Sequence, residues 1–84
     1  RAIDPAIVAY AYGLSPAEAQ VAASLARGLS AVQIAEQRHV AYSTVKTQIK
    51  QAYTKVGVSN QLGLVRHLLD LPELLATDNV IELR

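Results

Sequence analysis

Lys46, Thr47 and Lys50 are spaced so that a helix puts all three on one side, two ammonium groups one turn apart with a hydroxyl and a methyl between them. Such a face can donate to guanine O6 and N7 and can set a methyl group against the methyl of thymine. Ser43 and Thr44 stand just ahead, at the start of the same segment. There, hydroxyls, backbone N–H groups and the helix dipole all suit phosphate oxygens. The chemistry is recognition of a polyanion.

The charge pattern points the same way. From Arg38 to Arg66 the chain carries five basic residues (Arg38, Lys46, Lys50, Lys55 and Arg66) and no acid; all seven acids lie outside that window, with the other three basic residues. The formal net charge of +1 conceals this split. A lysine-bearing helix face taken alone is most often a solvated face. The acid-free window around it, the tight turn before it and the apolar stripe behind it favour nucleic acid as the partner.

Catalysis has no footing in the sequence. There is no nucleophile with a base nearby, no glycine-rich phosphate loop and no carboxylate pair in a plausible cleft. His39 and His67 lack further ligands at metal spacing, and with no Cys there is no thiolate zinc site, disulfide or thiol chemistry. No metal or cofactor is expected, and His39 reads as a plain surface residue. Glu18 reads as a structural acid suited to a helix cap and to pairing with a basic residue. The lack of Cys suits a cytoplasmic setting. No run approaches the roughly 18 apolar residues that span a bilayer, and nothing resembles a signal peptide. A chain beginning at Arg1 rather than Met reads as a piece of something longer.

The elements that position these residues are short helices. The chain has 84 residues, 51% of them hydrophobic, with no Phe, Trp or Met. That predicts one small domain with a core of Ala, Val, Leu and Ile. Asp4-Pro5 starts a first helix over AIVAYAY, stopped by Gly13, with Tyr10 and Tyr12 filling the seam against the body. Ser15-Pro16, with Glu18 reaching back to the cap, starts a second. Its inward face is Val21, Ala22, Leu25 and Ala26, and Gly28 ends it. Ser30 caps a third, with Ile34 and Ala35 inward, ending near Arg38. A fourth begins close to Tyr42 or Ser43 and runs to about Lys55, with Gly57 as its stop. Its apolar stripe is Val45, Ile49, Ala52 and Val56, opposite Ser43, Lys46, Thr47, Lys50, Gln51 and Thr54.

Ser59 or Asn60 caps a fifth helix to about Leu71, closed by Pro72, after which ELLATDNVIELR has room for one more turn. No period-two strand pattern occurs, so the fold class is all-α. Two short helices joined by a tight turn, the second with a basic polar face, outline a helix-turn-helix. In the fifth helix Leu62, Val65 and Leu69 form one stripe, and Leu64, Leu68 and Leu71 form another about 100° around the axis. One stripe serves a small core. The other is either covered by the first helix or forms a twofold dimer contact, which implies a near-palindromic site with half-sites about one helical turn apart.

The string from Leu14 to Leu68 resembles the LuxR/FixJ-type DNA-binding domain of bacterial transcription regulators. The shared landmarks are Leu14-Ser15-Pro16 with Glu18, Gly28-Leu29-Ser30, Ile34-Ala35, Thr44-Val45-Lys46-Thr47, and Lys55-Val56-Gly57-Val58 followed by Asn60, collinear without gaps. The resemblance implies a four-helix domain over residues 14–71, here with an extra N-terminal helix or linker (1–13) from an absent upstream domain and a C-terminal tail (72–84). In it the third family helix reads DNA and the fourth mediates dimerisation, through Leu62, Val65 and Leu69 here. It implies base contacts at Lys46, Thr47 and Lys50, and backbone contacts at Ser30, Gln33, Thr44, Lys55 and Asn60, which Arg38 and Ser43 join by charge and position. The expected function is sequence-specific binding of double-stranded DNA as the output domain of a transcription regulator, as a homodimer, with RNA polymerase a further candidate partner.

Four positions depart from the family pattern. Ala41 stands for a common Ser, so Tyr42 or Ser43 is expected to cap the recognition helix in its place. Gln48, Gln20 and Gln61 replace a common His, Glu and Arg, and Gln61 is expected to forfeit one phosphate contact. These departures sustain an alternative: a helix-turn-helix that contacts RNA polymerase or a partner regulator without specific DNA binding.

Overall fold

The computed structural model describes residues 3–69. Five helices follow one another: α1 (Pro5–Tyr12), α2 (Pro16–Ala26), α3 (Ala31–Arg38), α4 (Tyr42–Val56) and α5 (Gln61–Leu69). No strand occurs among the described residues. The all-α reading therefore stands, as a helix-turn-helix domain preceded by one extra helix.

Local chemistry sets the helix starts. Asp4 Oδ1 accepts from the Ala6 N–H at 2.9 Å, ahead of Pro5. Ser15 and Glu18 close a reciprocal capping box at 3.1 and 3.0 Å, and Ser30 and Gln33 close a second at 3.1 and 2.8 Å. Asn60 caps α5 through its Oδ1, which accepts from the Gly63 N–H at 2.8 Å. Gly63 itself sits tightly, since a Cβ there would lie 3.2 Å from Val58 Cβ.

α4 corrects one expectation. Ala41 holds the N-cap position with no side-chain hydrogen bond, and neither Tyr42 nor Ser43 replaces the missing cap because both already lie inside the helix.

α2 is the centre of the domain. Ala19, Val21, Ala22, Ala23 and Leu25 are all buried, and α1, α3, α4 and α5 all pack on it. One inward face was expected; a helix apolar around most of its girth is instead enclosed. Its run of alanines lets neighbours approach from several sides. α3 contributes Ile34 and Ala35 to the core, α4 contributes Val45, Ala52 and Val56, and Ile49 packs half-buried at the margin.

α1 lies over the body through Val8, with buried Leu14 just beyond its end. The Tyr12 hydroxyl donates to the His67 carbonyl at 3.2 Å, and the two rings meet edge-on at 6.3 Å. Tyr10 does not fill the seam: it is 87% exposed. Residues two apart on a helix point about 200° apart, so one face could take only one of the two tyrosines.

In α5 the alternatives separate. Leu64 and Leu68 are buried, whereas Leu62 and Leu69 are 66% and 62% exposed, and Val65 is half-buried between the two environments. The stripe that serves the core is thus Leu64/Leu68. Leu71, the stop at Pro72 and any turn beyond it lie outside the described residues.

Candidate nucleic-acid interface

The helix-turn-helix is built on a residue that is not glycine. His39 adopts left-handed backbone angles (φ 57°, ψ 44°) at the end of α3, and the next N–H, of Val40, returns to the Ala35 carbonyl at 3.1 Å. This reverses the chain within His39, Val40 and Ala41 and launches α4. His39, read from sequence as a plain surface residue, thus has a backbone role that its side chain did not advertise. The left-handed region costs a non-glycine residue about 1 kcal/mol or more.

On α4, Ser43, Lys46, Thr47 and Lys50 are all exposed, within a sector of roughly 100° given 100° per residue. Lys46 Nζ lies over the Tyr42 ring, 5.4 Å from its centroid, a cation–π contact that steadies a long side chain at low cost. The Lys50 ammonium enters no ion pair or hydrogen bond among the described residues, while its carbonyl accepts from the Thr54 hydroxyl at 3.0 Å. The Thr47 hydroxyl donates to the Ser43 carbonyl at 3.1 Å. Its proton is thereby used within the helix, and what remains for a partner is the methyl group and an acceptor lone pair. No acid lies in the first turn of α4, and no side chain caps it. Thr44 and Ser43 therefore flank backbone N–H groups that an incoming phosphate can satisfy.

The flanking candidates are placed less uniformly. Ser30 and Gln33 begin α3, and their mutual capping uses the Ser30 oxygen and the Gln33 carbonyl oxygen as acceptors. The Ser30 O–H and the Gln33 NH2 remain as donors. Arg38 Nη1 donates to Gln20 Oε1 at 2.6 Å, and its Nε is buried without a partner. Gln20 thus orients the guanidinium without neutralising it. Asn60 spends its carbonyl oxygen on the α5 cap. Leu62, Val65 and Leu69 lie together on α5, facing outward or half-outward.

Lys55 stands apart. It lies about 140° around the α4 axis from Lys50, and its Nζ meets Glu18 Oε1 at 2.8 Å. The Lys55 side chain is 42% exposed and that of Glu18 only 6%. The hydrogen bond from Lys55, then that from the Ser15 N–H, holds the Glu18 carboxyl below its ordinary value against the opposing effect of burial. The sequence window without acids is therefore not a volume without acids, because the fold brings one in from 37 residues away. A second link of this kind joins Gln61 Nε2 to the Leu25 carbonyl at 3.1 Å, near the end of α2. Gln61, which stands for the family's common arginine, thus gives its amide as a second donor to a carbonyl that already accepts from the Gly28 N–H at 2.9 Å. Sequence spacing signals neither contact.

The described residues hold no cluster of three or more His, Cys, Asp or Glu able to bind a metal ion, and no helix among them is long and apolar enough to cross a membrane. No significant match was found among curated proteins or solved structures. The family profile described as bacterial regulatory proteins, luxR family, does match, over residues 12–68. That span runs from the end of α1 to the penultimate described residue of α5 and holds the whole helix-turn-helix, with the exposed basic face of α4. The chain belongs to the luxR family of bacterial regulatory proteins, and its helix-turn-helix is that of a DNA-binding regulator domain.

Proposed function

We propose that this domain binds double-stranded DNA sequence-specifically, with α4 in the major groove, as the output domain of a transcription regulator in the cytoplasm. Lys46, Thr47 and Lys50 read base edges. Arg38, Ser43, Thr44, Ser30, Gln33 and Asn60 hold the backbone, and Lys55 adds less than a full charge because Glu18 shares it. The observation that carries this reading is one exposed face of α4 that gathers two lysines unpaired with any acid among the described residues, beside an uncapped helix start.

The unit that does this spans residues 14–71, with residues 1–13 before it and 72–84 after it. Two copies meet through Leu62, Val65 and Leu69 on a near-palindromic site. The exposure of Leu62 and Leu69 supports that contact, since a core would not leave two leucines in water on one stripe.

Salt tests the reading. Each cation placed on a phosphate steepens the dependence of log affinity on log salt by about 0.9. Arg38, with the part of the Lys55 charge that Glu18 leaves unshared, predicts a slope of about −1 to −2 per domain and about −2 to −4 per dimer. A duplex affinity that hardly changes with salt would instead favour the interaction module that contacts RNA polymerase or a partner regulator.

A further inference from the structure

The outward side of α4 is not only basic. Between it and the start of α3 runs a shallow groove of about 350 Å³, lined by Ala31, Tyr42, Lys46, Ile49, Lys50 and Tyr53. Ile49 and Tyr53 form a half-buried apolar floor, Tyr42 stands 49% exposed at one end, and the two lysines rise beside them. Duplex DNA answers the lysines well but the rings and Ile49 poorly, since a base-pair edge offers only the thymine methyl as an apolar group. The complementary ligand carries carboxylates and aliphatic side chains together.

The chain supplies such a segment. Residues 70–84, DLPELLATDNVIELR, hold Asp70, Glu73, Asp78 and Glu82 against a single Arg84, interleaved with Leu74, Leu75, Val80, Ile81 and Leu83. We propose that this acidic, aliphatic segment docks in cis on the groove, its carboxylates on Lys46 and Lys50 and its aliphatic side chains on Ile49 and the two tyrosines, so that it competes with DNA for the reading face. Fifteen residues reach up to roughly 50 Å when extended, well beyond the roughly 22 Å length of α4, so the tether does not forbid the contact. The exposed Leu62/Leu69 stripe suits the segment less. It lies on the helix the segment leaves, which would demand an immediate reversal at Leu69, and its neighbouring cation is the lone Arg66. The docking stands on the groove and the tail; only its consequence, competition, rests on the DNA-reading role of α4.

The test keeps the chain whole. Glu73→Gln, Asp78→Asn and Glu82→Gln are combined, all beyond Leu69, the last residue that the structure describes. Backbone amide spectra of the parent and the variant are compared without DNA, and affinity for a random-sequence duplex is measured for both. The expected result is displaced signals at Tyr42, Ile49, Lys50 and Tyr53, with duplex affinity rising about fivefold, as for a site whose competent fraction is restored at tethered concentrations. Raising salt on the parent chain displaces the same signals, which tests the contact without any substitution. Changes confined to Leu62, Val65 and Leu69 would overturn the proposal by placing the segment on α5. So would a rise in affinity with no change at the groove, which is charge acting at a distance. Groove signals that shift while neither protein binds the duplex would support the docking and remove the DNA-reading role instead.

Discussion

Lys50 and Lys55 are both lysines of α4 and part company in space, so their alanine substitutions should give opposite phenotypes. The Lys50 side chain has no hydrogen-bond or ion-pair partner among the described residues. Lys50→Ala removes nothing from the fold, and the melting temperature stays unchanged. Duplex affinity at the preferred site should fall by about 1–3 kcal/mol with one base position relaxed, while the salt slope stays nearly unchanged because Lys50 reads a base edge. Lys55→Ala leaves Glu18, whose side chain is only 6% exposed, with the Ser15 N–H as its remaining donor. Because the Lys55 side chain is 42% exposed, solvent screens the pair. The loss is therefore nearer ~1 kcal/mol than the several kcal/mol of a fully buried pair. In a domain of this size that lowers the melting temperature by about 4–8 °C. Duplex affinity should drop on all sequences alike, and the slope should shrink by clearly less than 0.9. Thermal melts by circular dichroism and fluorescence-anisotropy titrations at several salt concentrations give both readouts. The reasoning fails if Lys55→Ala melts like the parent while Lys50→Ala takes the larger share of the slope.

Three further outcomes follow from the same geometry. The lowered Glu18 pKa means that its contribution to stability is complete above the unfolded value of 4.5 and is lost as pH falls below it through the folded value. Glu18→Gln should flatten urea-derived stability across that acid window, and an unchanged acid profile would discard the pair as a stabilising contact. Ala41→Ser restores an acceptor at the empty N-cap of α4 and should stabilise by about 1 kcal/mol, raising the melting temperature by about 4–8 °C; a lower melting temperature would mean that the turn cannot present the hydroxyl. Leu62→Ser with Leu69→Ser should leave the melting temperature nearly unchanged but abolish twofold assembly on DNA in sedimentation experiments. Leu64→Ala, from the buried stripe, should cost about 2–5 kcal/mol. Equal thermal damage from both would show that the outer stripe belongs to the core.

Much of this architecture was legible because it is local. Asp4-Pro5, Ser15 with Glu18 and Ser30 with Gln33 fix helix starts through hydrogen bonds spanning two or three residues, and the sequence displays those spacings directly. The polar face of α4 follows from 3.6 residues per turn, and all six of its expected outward residues are exposed. What stayed hidden depends on partners far along the chain. Glu18 with Lys55, Leu25 with Gln61 and Tyr12 with His67 are separated by 37, 36 and 55 residues. Periodicity also cannot tell a one-faced helix from an enclosed one when alanine fills both sides, which is why the central position of α2 emerged only from packing. Tyr10 shows the converse, an aromatic that pattern would bury and geometry leaves in water.

The most direct test of the central claim is to select from a random duplex pool at moderate salt and sequence what the domain retains. The account predicts enrichment of a twofold-related motif whose half-sites lie about one helical turn apart. Retention without any motif, or no retention at all, would contradict it.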